Sequence, residues 1–312
     1  MAKIKSAGHH WWPECVSEHW ADDDGGVTWL LPDNSVRKSV PKNFGLIGNG
    51  HTIKIGENPS EVTPWDTSFE AEFQVADDNF PSVIDWLYRL DRCYPPFSDA
   101  AEERIVHVSA ADKQFEMLIE CIVSLAVRSP KHRETAVALA EEFRGPLPEW
   151  NRNSLIGVNM RNSQRNAVRS IRSSGKAMVI FSPDREFVFG DGFFHNILAP
   201  VEHLHGPKIL VPLTPWMAVL FAKPSSYRLD PRLVTLVATP SEVDALNYAV
   251  QVYARNAIFY RSERPTVTDV FALGKHMVFA SPRNSVDELI HKIPGIPPRD
   301  TSLDAIFYPP TN

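Results

Sequence analysis

The chain has 312 residues, of which 43% are hydrophobic and 22% charged, with a net charge of −6. That is enough apolar material for one large core or two smaller ones, and the acidic balance argues against indiscriminate polyanion binding. No stretch approaches the ~18 consecutive apolar residues of a membrane span, and Cys15, Cys93 and Cys121 form no C-x-x-C pair, so neither a zinc ribbon nor a disulfide framework is expected; a cytoplasmic, reducing setting is the default.

The first dense group of functional side chains is Gly8-His9-His10-Trp11-Trp12-Pro13. Imidazoles serve as general bases or metal ligands near neutral pH. Adjacent residues of a strand point to opposite faces, so only one of His9 and His10 can reach a given metal while the other packs elsewhere. The plainer reading is a packed segment with hydrogen-bonded histidines. Pro13 to Ala21 reads as a short helix. Val27 to Leu31, a Pro32-Asp33-Asn34 turn and Ser35 to Val40 read as a hairpin, and Thr52 to Ile55 adds a strand. From Ser68 the period turns helical through Phe69, Phe73, Ala76, Phe80, Val83, Ile84, Leu87 and Leu90, with a break or kink expected near Pro81, or a second helix that begins with it.

Pro95-Pro96 opens a linker, and a helix follows from Ser109-x-x-Asp112 to Arg128-Ser129-Pro130. Another runs from Lys131 to Phe143, before the breaker Gly145-Pro146-Leu147-Pro148. Between Asn151 and Lys176 lie six basic residues and no acid, and Arg161, Arg165, Arg169, Arg172 and Lys176 follow steps of four, four, three and four. On a helix these five fall within an arc of roughly 80°, opposite Ile156, Met160, Ala167, Val168 and Ile171. A uniform arginine stripe suits phosphate or nucleic acid; a solvated face neutralised by carboxylates from elsewhere is the plainer reading.

The second half turns to strands: Ala177 to Phe181 and Glu186 to Phe189 about a Ser182-Pro183-Asp184 turn, then Lys208 to Leu213, Met217 to Ala222 and Leu233 to Ala238, which suggests a meander. Asp191 ends an apolar strand, where a carboxylate serves as metal ligand, general base or turn acceptor. His195, His203 and His205 lie near it and offer a second metal-site candidate in what reads as a loop. Thr239-Pro240-Ser241-Glu242 starts a helix expected to reach Phe259, with Val243, Leu246, Val250 and Tyr253 inward. Thr266 and Ser285 open two shorter helices, and the chain from Pro294 is Pro-rich. P-loop, nucleophile-elbow, zincin and dinucleotide-binding motifs are absent.

Taken in order, these motifs resemble a bacterial family, Domain of Unknown Function 4238. The matching residues are His9-His10 with Pro13, Asp24-Gly25, Pro41-Lys42-Asn43, Glu70 at the start of an acidic helix, Arg128-Ser129-Pro130, Asp191, Pro212-Leu213-Thr214-Pro215, Leu246-Asn247 and Ala254-Arg255. The match spans Gly8 to Ser262; where the family continues Asn-Pro after the Asp, this chain has Gly192-Phe193. The family has no settled activity. The resemblance implies a converging polar set of His9 or His10, Arg128, Asp191, Asn247 and Arg255.

Together these readings predict a single α+β domain over 1–312. It comprises a small β element at 8–60, a helical part at 68–176, a β-rich part at 177–262 with a mainly antiparallel sheet, and a helical or irregular tail at 263–312. The expected function is that of a bacterial hydrolase, a nuclease in its sharpest form, that uses a divalent metal on a phosphate-bearing substrate. In it His9 or His10 acts as base, Asp191 as metal ligand or second acid/base group, and Arg128 and Arg255 stabilise phosphate charge. The alternative is a non-enzymatic module that binds a protein partner, as one component of a toxin or defence system, with the same polar residues buried and internally hydrogen-bonded.

Overall fold

The computed structural model describes residues 8–48, 50–53, 67–94, 98–192, 207–273 and 284–298. His195, His203 and His205 lie outside these residues, as does the end of the strand expected to reach Ile55.

Two small antiparallel ribbons open the chain. β1 (Gly8–His10) pairs with β4 (Leu46–Gly48), which places His9 opposite Ile47, and β5 (Thr52–Ile53) pairs with β6 (Thr67–Ser68). α1 (Glu14–Ser17) continues into a 3₁₀ turn ending at Trp20. The expected hairpin forms as β2 (Val27–Leu30) and β3 (Val36–Ser39), with Asn34 taking the positive φ of 65° that the turn requires.

The central layer is helical. α2 (Ala71–Tyr88) runs through Pro81 without the expected break. Proline leaves the carbonyl four residues earlier without its helical donor. That carbonyl, Asp77 O, instead receives the Cys15 thiol at 3.8 Å, and the Pro81 ring faces solvent. A short α3 (Ala101–Arg104) leads into β7 (Ile105–Val108), a strand that the sequence reading missed. α4 (Asp112–Arg128) and α5 (Pro130–Arg144) meet at Ser129, whose hydroxyl donates to Ala126 O and accepts from His132 N. α6 (Glu149–Ile171) packs on α4, α5 and β5, with Gly157 at the closest approach, where a Cβ would lie 2.9 Å from Ile53 Cγ1.

The larger sheet has five strands in the order β10-β11-β8-β12-β7: β10 (Lys208–Thr214), β11 (Met217–Ala222), β8 (Lys176–Phe181), β12 (Leu233–Val237) and β7. All its pairings are antiparallel except β8 with β12, so it is not a simple meander. Every residue of β8, β10, β11 and β12 is buried, as continuous Val/Ile/Leu runs demand of strands covered on both faces. β9 (Phe189–Gly190) does not pair with β8 across the Ser182 turn. It joins a second sheet, β3-β2-β13-β9, through β13 (Ile258–Tyr260). α7 (Pro240–Tyr253) starts on the expected Thr239 capping box but stops six residues short of Phe259, because β13 needs that segment extended. α8 (Asp269–Ala272) and α9 (Ser285–Ile290) are capped by Thr268 and Asn284.

The fold is therefore α+β, with N-terminal strands, a central helical region and a C-terminal sheet with packed helices. No helix among the described residues is long and apolar enough to cross a membrane.

Candidate metal centre

The two tryptophans after the His pair anchor it. Trp12 is fully buried and stacks on Phe189 at 4.2 Å, which in turn stacks on Phe259 at 4.6 Å, while Trp11 lies 5.9 Å from Phe259. β1 is thus pinned to the second sheet by aromatic burial, and strand alternation decides where each imidazole goes. His9 turns inward and is 9% exposed. His10 takes the other face, where its Nε2 lies 3.2 Å from Lys42 O.

His9 meets two residues from separate segments. His51 lies in the turn between β4 and β5, 2% exposed, its ring 4.9 Å from that of His9 and 4.7 Å from Phe73. Glu70 stands at the N-cap of α2, where the helix dipole favours a negative charge. Its Oε2 lies 3.4 Å from His9 Nε2 and in short hydrogen-bonding contact with His51 Nδ1. One donor atom from each of the three residues falls within 4.8 Å of the others. Donors around a tetrahedral ion with bonds of ~2.0–2.2 Å stand about 3.3–3.6 Å apart, so small side-chain adjustments suffice. The cluster can coordinate a divalent metal ion. His9 Nδ1 is buried without a hydrogen-bond partner among the described residues, whereas the Glu70 side chain is 46% exposed and opens the cluster to solvent on one side.

The electrostatics suit metal ligation. Burial lowers the basicity of His51 and the Glu70 contact opposes this, but Arg128 and His9 add to the lowering and the net shift is down. Burial works against the charge on Glu70, yet the His51 hydrogen bond and the positive field of His51, His9 and Arg128 outweigh it and hold the carboxyl below its ordinary value. Neutral imidazole and ionised carboxylate are the forms that bind metal.

The other residues singled out by sequence take separate places. Arg128 is fully buried and forms a two-pronged pair with Asp77, at 3.0 Å to Oδ2 and 2.6 Å to Oδ1. Asp191 is 5% exposed, and its carboxylate accepts from Arg255 N at 2.8 Å, from Asn256 N at 3.0 Å and from Asn256 Nδ2 at 2.9 Å. Burial raises its pKa against the opposing pull of these hydrogen bonds. Asn247 bridges α7 to the segment before β9, accepting from Val188 N and donating to Glu186 O, both at 2.9 Å. The Arg255 side chain pairs with Glu134. Neither Asp191, Asn247 nor Arg255 hydrogen-bonds to the His9, His51 and Glu70 cluster.

Carboxylates pair with part of the basic stripe. Arg165 pairs with Glu72, Arg161 approaches the same carboxylate at 4.0 Å, and Arg172 pairs with Glu116 at 2.7 Å. Glu72, Glu116, Arg165 and Arg172 line a groove of ≈ 810 Å³ together with Arg169 and Glu120, so three acids face three arginines there. Lys176 does not extend the stripe. α6 ends at Ile171, and Lys176 opens β8 with its ammonium buried on Arg228 O and Leu229 O.

Of the three cluster residues, sequence reading found only His9. His51 is an isolated histidine between Gly50 and Thr52, and Glu70 reads in sequence only as the start of an acidic helix; the fold, not local spacing, brings them together. Compared with known proteins, the chain matches no family model, no curated protein and no solved structure.

Proposed function

We propose that this chain is a divalent-metal-dependent hydrolase whose metal ligands are His9, His51 and Glu70. One observation carries the reading: two histidines and a glutamate, from three separate segments, bring their donor atoms within 4.8 Å on a site open to solvent at Glu70. Three protein ligands leave a coordination position free, the arrangement of catalytic rather than structural zinc sites. A bound divalent ion would supply Lewis acidity and a water acidified toward neutral pH. The chain's own part would be to present a neutral His51 and an ionised Glu70; for His51 to ligate through Nδ1, its single ring hydrogen, shared with Glu70 in the metal-free chain, would have to sit on Nε2 instead. A phosphoester is the substrate class we place first, and nuclease activity is its narrowest form. Support for a nucleic-acid track is reduced by the Glu72 and Glu116 pairs on the arginine stripe. Membership of the Domain of Unknown Function 4238 family and a cytoplasmic setting belong to the same proposal, the first resting on motif order alone.

The test is calorimetric titration of the metal-free protein with Zn²⁺, Mn²⁺ and Mg²⁺. Hydrolysis of bis(p-nitrophenyl) phosphate, p-nitrophenyl acetate, DNA and RNA is then measured with each metal. Saturable binding that His51→Ala removes, with hydrolysis lost in parallel, is the expected result. No binding of any of the three ions would overturn the reading. A second reading, a non-enzymatic interaction module, is favoured by the way protein groups already occupy the Asp191 carboxylate and the Asn247 amide. It predicts metal binding without turnover on any of these substrates.

A further inference from the structure

Each imidazole of the cluster is next in sequence to a residue whose main-chain carbonyl is held by an arginine from the α4–α5 corner. Arg128, the last residue of α4, donates from Nη1 to the carbonyl of His10, the residue after His9, at 3.4 Å. Arg133, early in α5, donates from Nη1 to the carbonyl of Gly50, the residue before His51, at 2.9 Å. Ser129 makes the corner rigid through its two hydrogen bonds, so the guanidinium groups are launched from one fixed point.

The third ligand is tied to the same corner. Asp77, the carboxylate partner of Arg128, lies on α2, the helix whose N-cap is Glu70. Arg128 also lies over the Phe73 ring at 5.0 Å, and Phe73 is in turn 4.7 Å from the His51 ring. Arg133 is the more unusual of the two. Burial, followed by repulsion from Arg152, pushes its pKa down to about 10, and it forms no ion pair with a carboxylate among the described residues. A half-buried guanidinium without a counter-charge is costly. Its hydrogen bond to Gly50 and a contact with Met160 Sδ at 3.2 Å are what it gains at this position.

We propose that Arg128 and Arg133 are positioning residues of the metal centre, and that the α4–α5 corner holds the three ligand-bearing segments at coordination distance. The proposal rests on the assignment of His9, His51 and Glu70 as ligands. Groups that orient metal ligands typically change affinity ~10–100-fold when removed.

The experiment is Zn²⁺ calorimetry and Co²⁺ absorption spectroscopy on the full chain and on Arg133→Met, Arg133→Lys and Arg128→Lys. Asn247→Ala serves as a destabilised control with no link to the centre. Arg133→Met is expected to bind Zn²⁺ ~10–100-fold more weakly with an altered Co²⁺ spectrum, Arg133→Lys to recover part of the loss, and Asn247→Ala to keep wild-type affinity despite a lower melting temperature. Should Arg128→Lys fail to fold, the two Arg133 variants decide. Affinity within about threefold of wild type in Arg133→Met, or an equal loss in the Asn247→Ala control, would overturn the proposal. A wild-type chain that binds no metal is a different outcome, and removes the ligand assignment itself.

Discussion

Replacing Asp191 with alanine separates a stabilising carboxylate from a catalytic one. The carboxylate receives three donor groups: Arg255 N, Asn256 N and Asn256 Nδ2. Hydrogen bonds to a charged group contribute roughly 1.5–3 kcal/mol each, and the backbone hydrogen bonds that would be lost are part-buried. Against this, the substitution removes a charge whose burial is unfavourable, as the raised pKa records. The balance is a loss of about 3–5 kcal/mol. With unfolding entropy near ~2.1 cal/mol/K per residue, a chain of this length loses roughly 1.5 °C per kcal/mol, so the melting temperature should fall by about 5–8 °C. The pH dependence follows from the direction of the shift. A carboxyl whose folded pKa is raised contributes stability that is fully present below its unfolded pKa and lost as pH rises through the folded value. The gap between wild type and Asp191→Ala should therefore widen as pH falls from neutral toward the ordinary carboxylate range. Urea unfolding at two pH values measures the gap, and Zn²⁺ calorimetry on the folded variant should show unchanged affinity. Unchanged stability together with lost metal binding or lost turnover would refute this account and restore Asp191 to the site.

Other outcomes follow from the same geometry. Glu70→Gln should weaken Zn²⁺ binding by at least ~10-fold while the chain stays folded, because it removes the anionic donor but keeps the side-chain shape; calorimetry with a parallel melting curve checks this. Asn247→Ala should cost about 2–3 kcal/mol, since it leaves the buried Val188 N–H without an acceptor, and denaturant unfolding reads it directly. Arg165→Ala and Arg172→Ala should change affinity for a fluorescent oligonucleotide by less than about threefold at low salt, given their Glu72 and Glu116 partners. A salt-dependent loss of tenfold or more, roughly two phosphate contacts' worth between about 50 and 200 mM salt, would restore the stripe as a nucleic-acid surface.

The readable parts of the sequence were those governed by local periodicity and caps. α4, α5, α6 and the start of α7 follow from helical spacing, the Ser129-Pro130 stop and the Thr239 capping box, all of which operate within a few residues. Errors fell where a distant partner decides. Pro81 stays helical with its exposed ring outside the core and the freed carbonyl of Asp77 met by the distant Cys15 thiol. α7 ends early because Asp191 accepts the main-chain N–H groups of Arg255 and Asn256, and β13 then pairs with β2. β8 and β9 look like a hairpin locally but enter different sheets. The same limit applies to the His9, His51 and Glu70 cluster. Alternation correctly put His9 and His10 on opposite faces, yet nothing near His51 or Glu70 in sequence marks them as neighbours of His9.

The order of residues along the chain gives the α4–α5 corner a consequence for biosynthesis. His9, His51 and Glu70, together with Arg128 and Arg133, are all made before four of the five strands of the larger sheet, which begin at Lys176. A nascent chain halted after α5 already carries the three candidate ligands and both arginines, but not Phe189 and Phe259, on which Trp11 and Trp12 pack. Chains halted on the ribosome beyond α5, probed with a zinc-responsive dye, would reveal whether metal acquisition or completion of the sheet comes first.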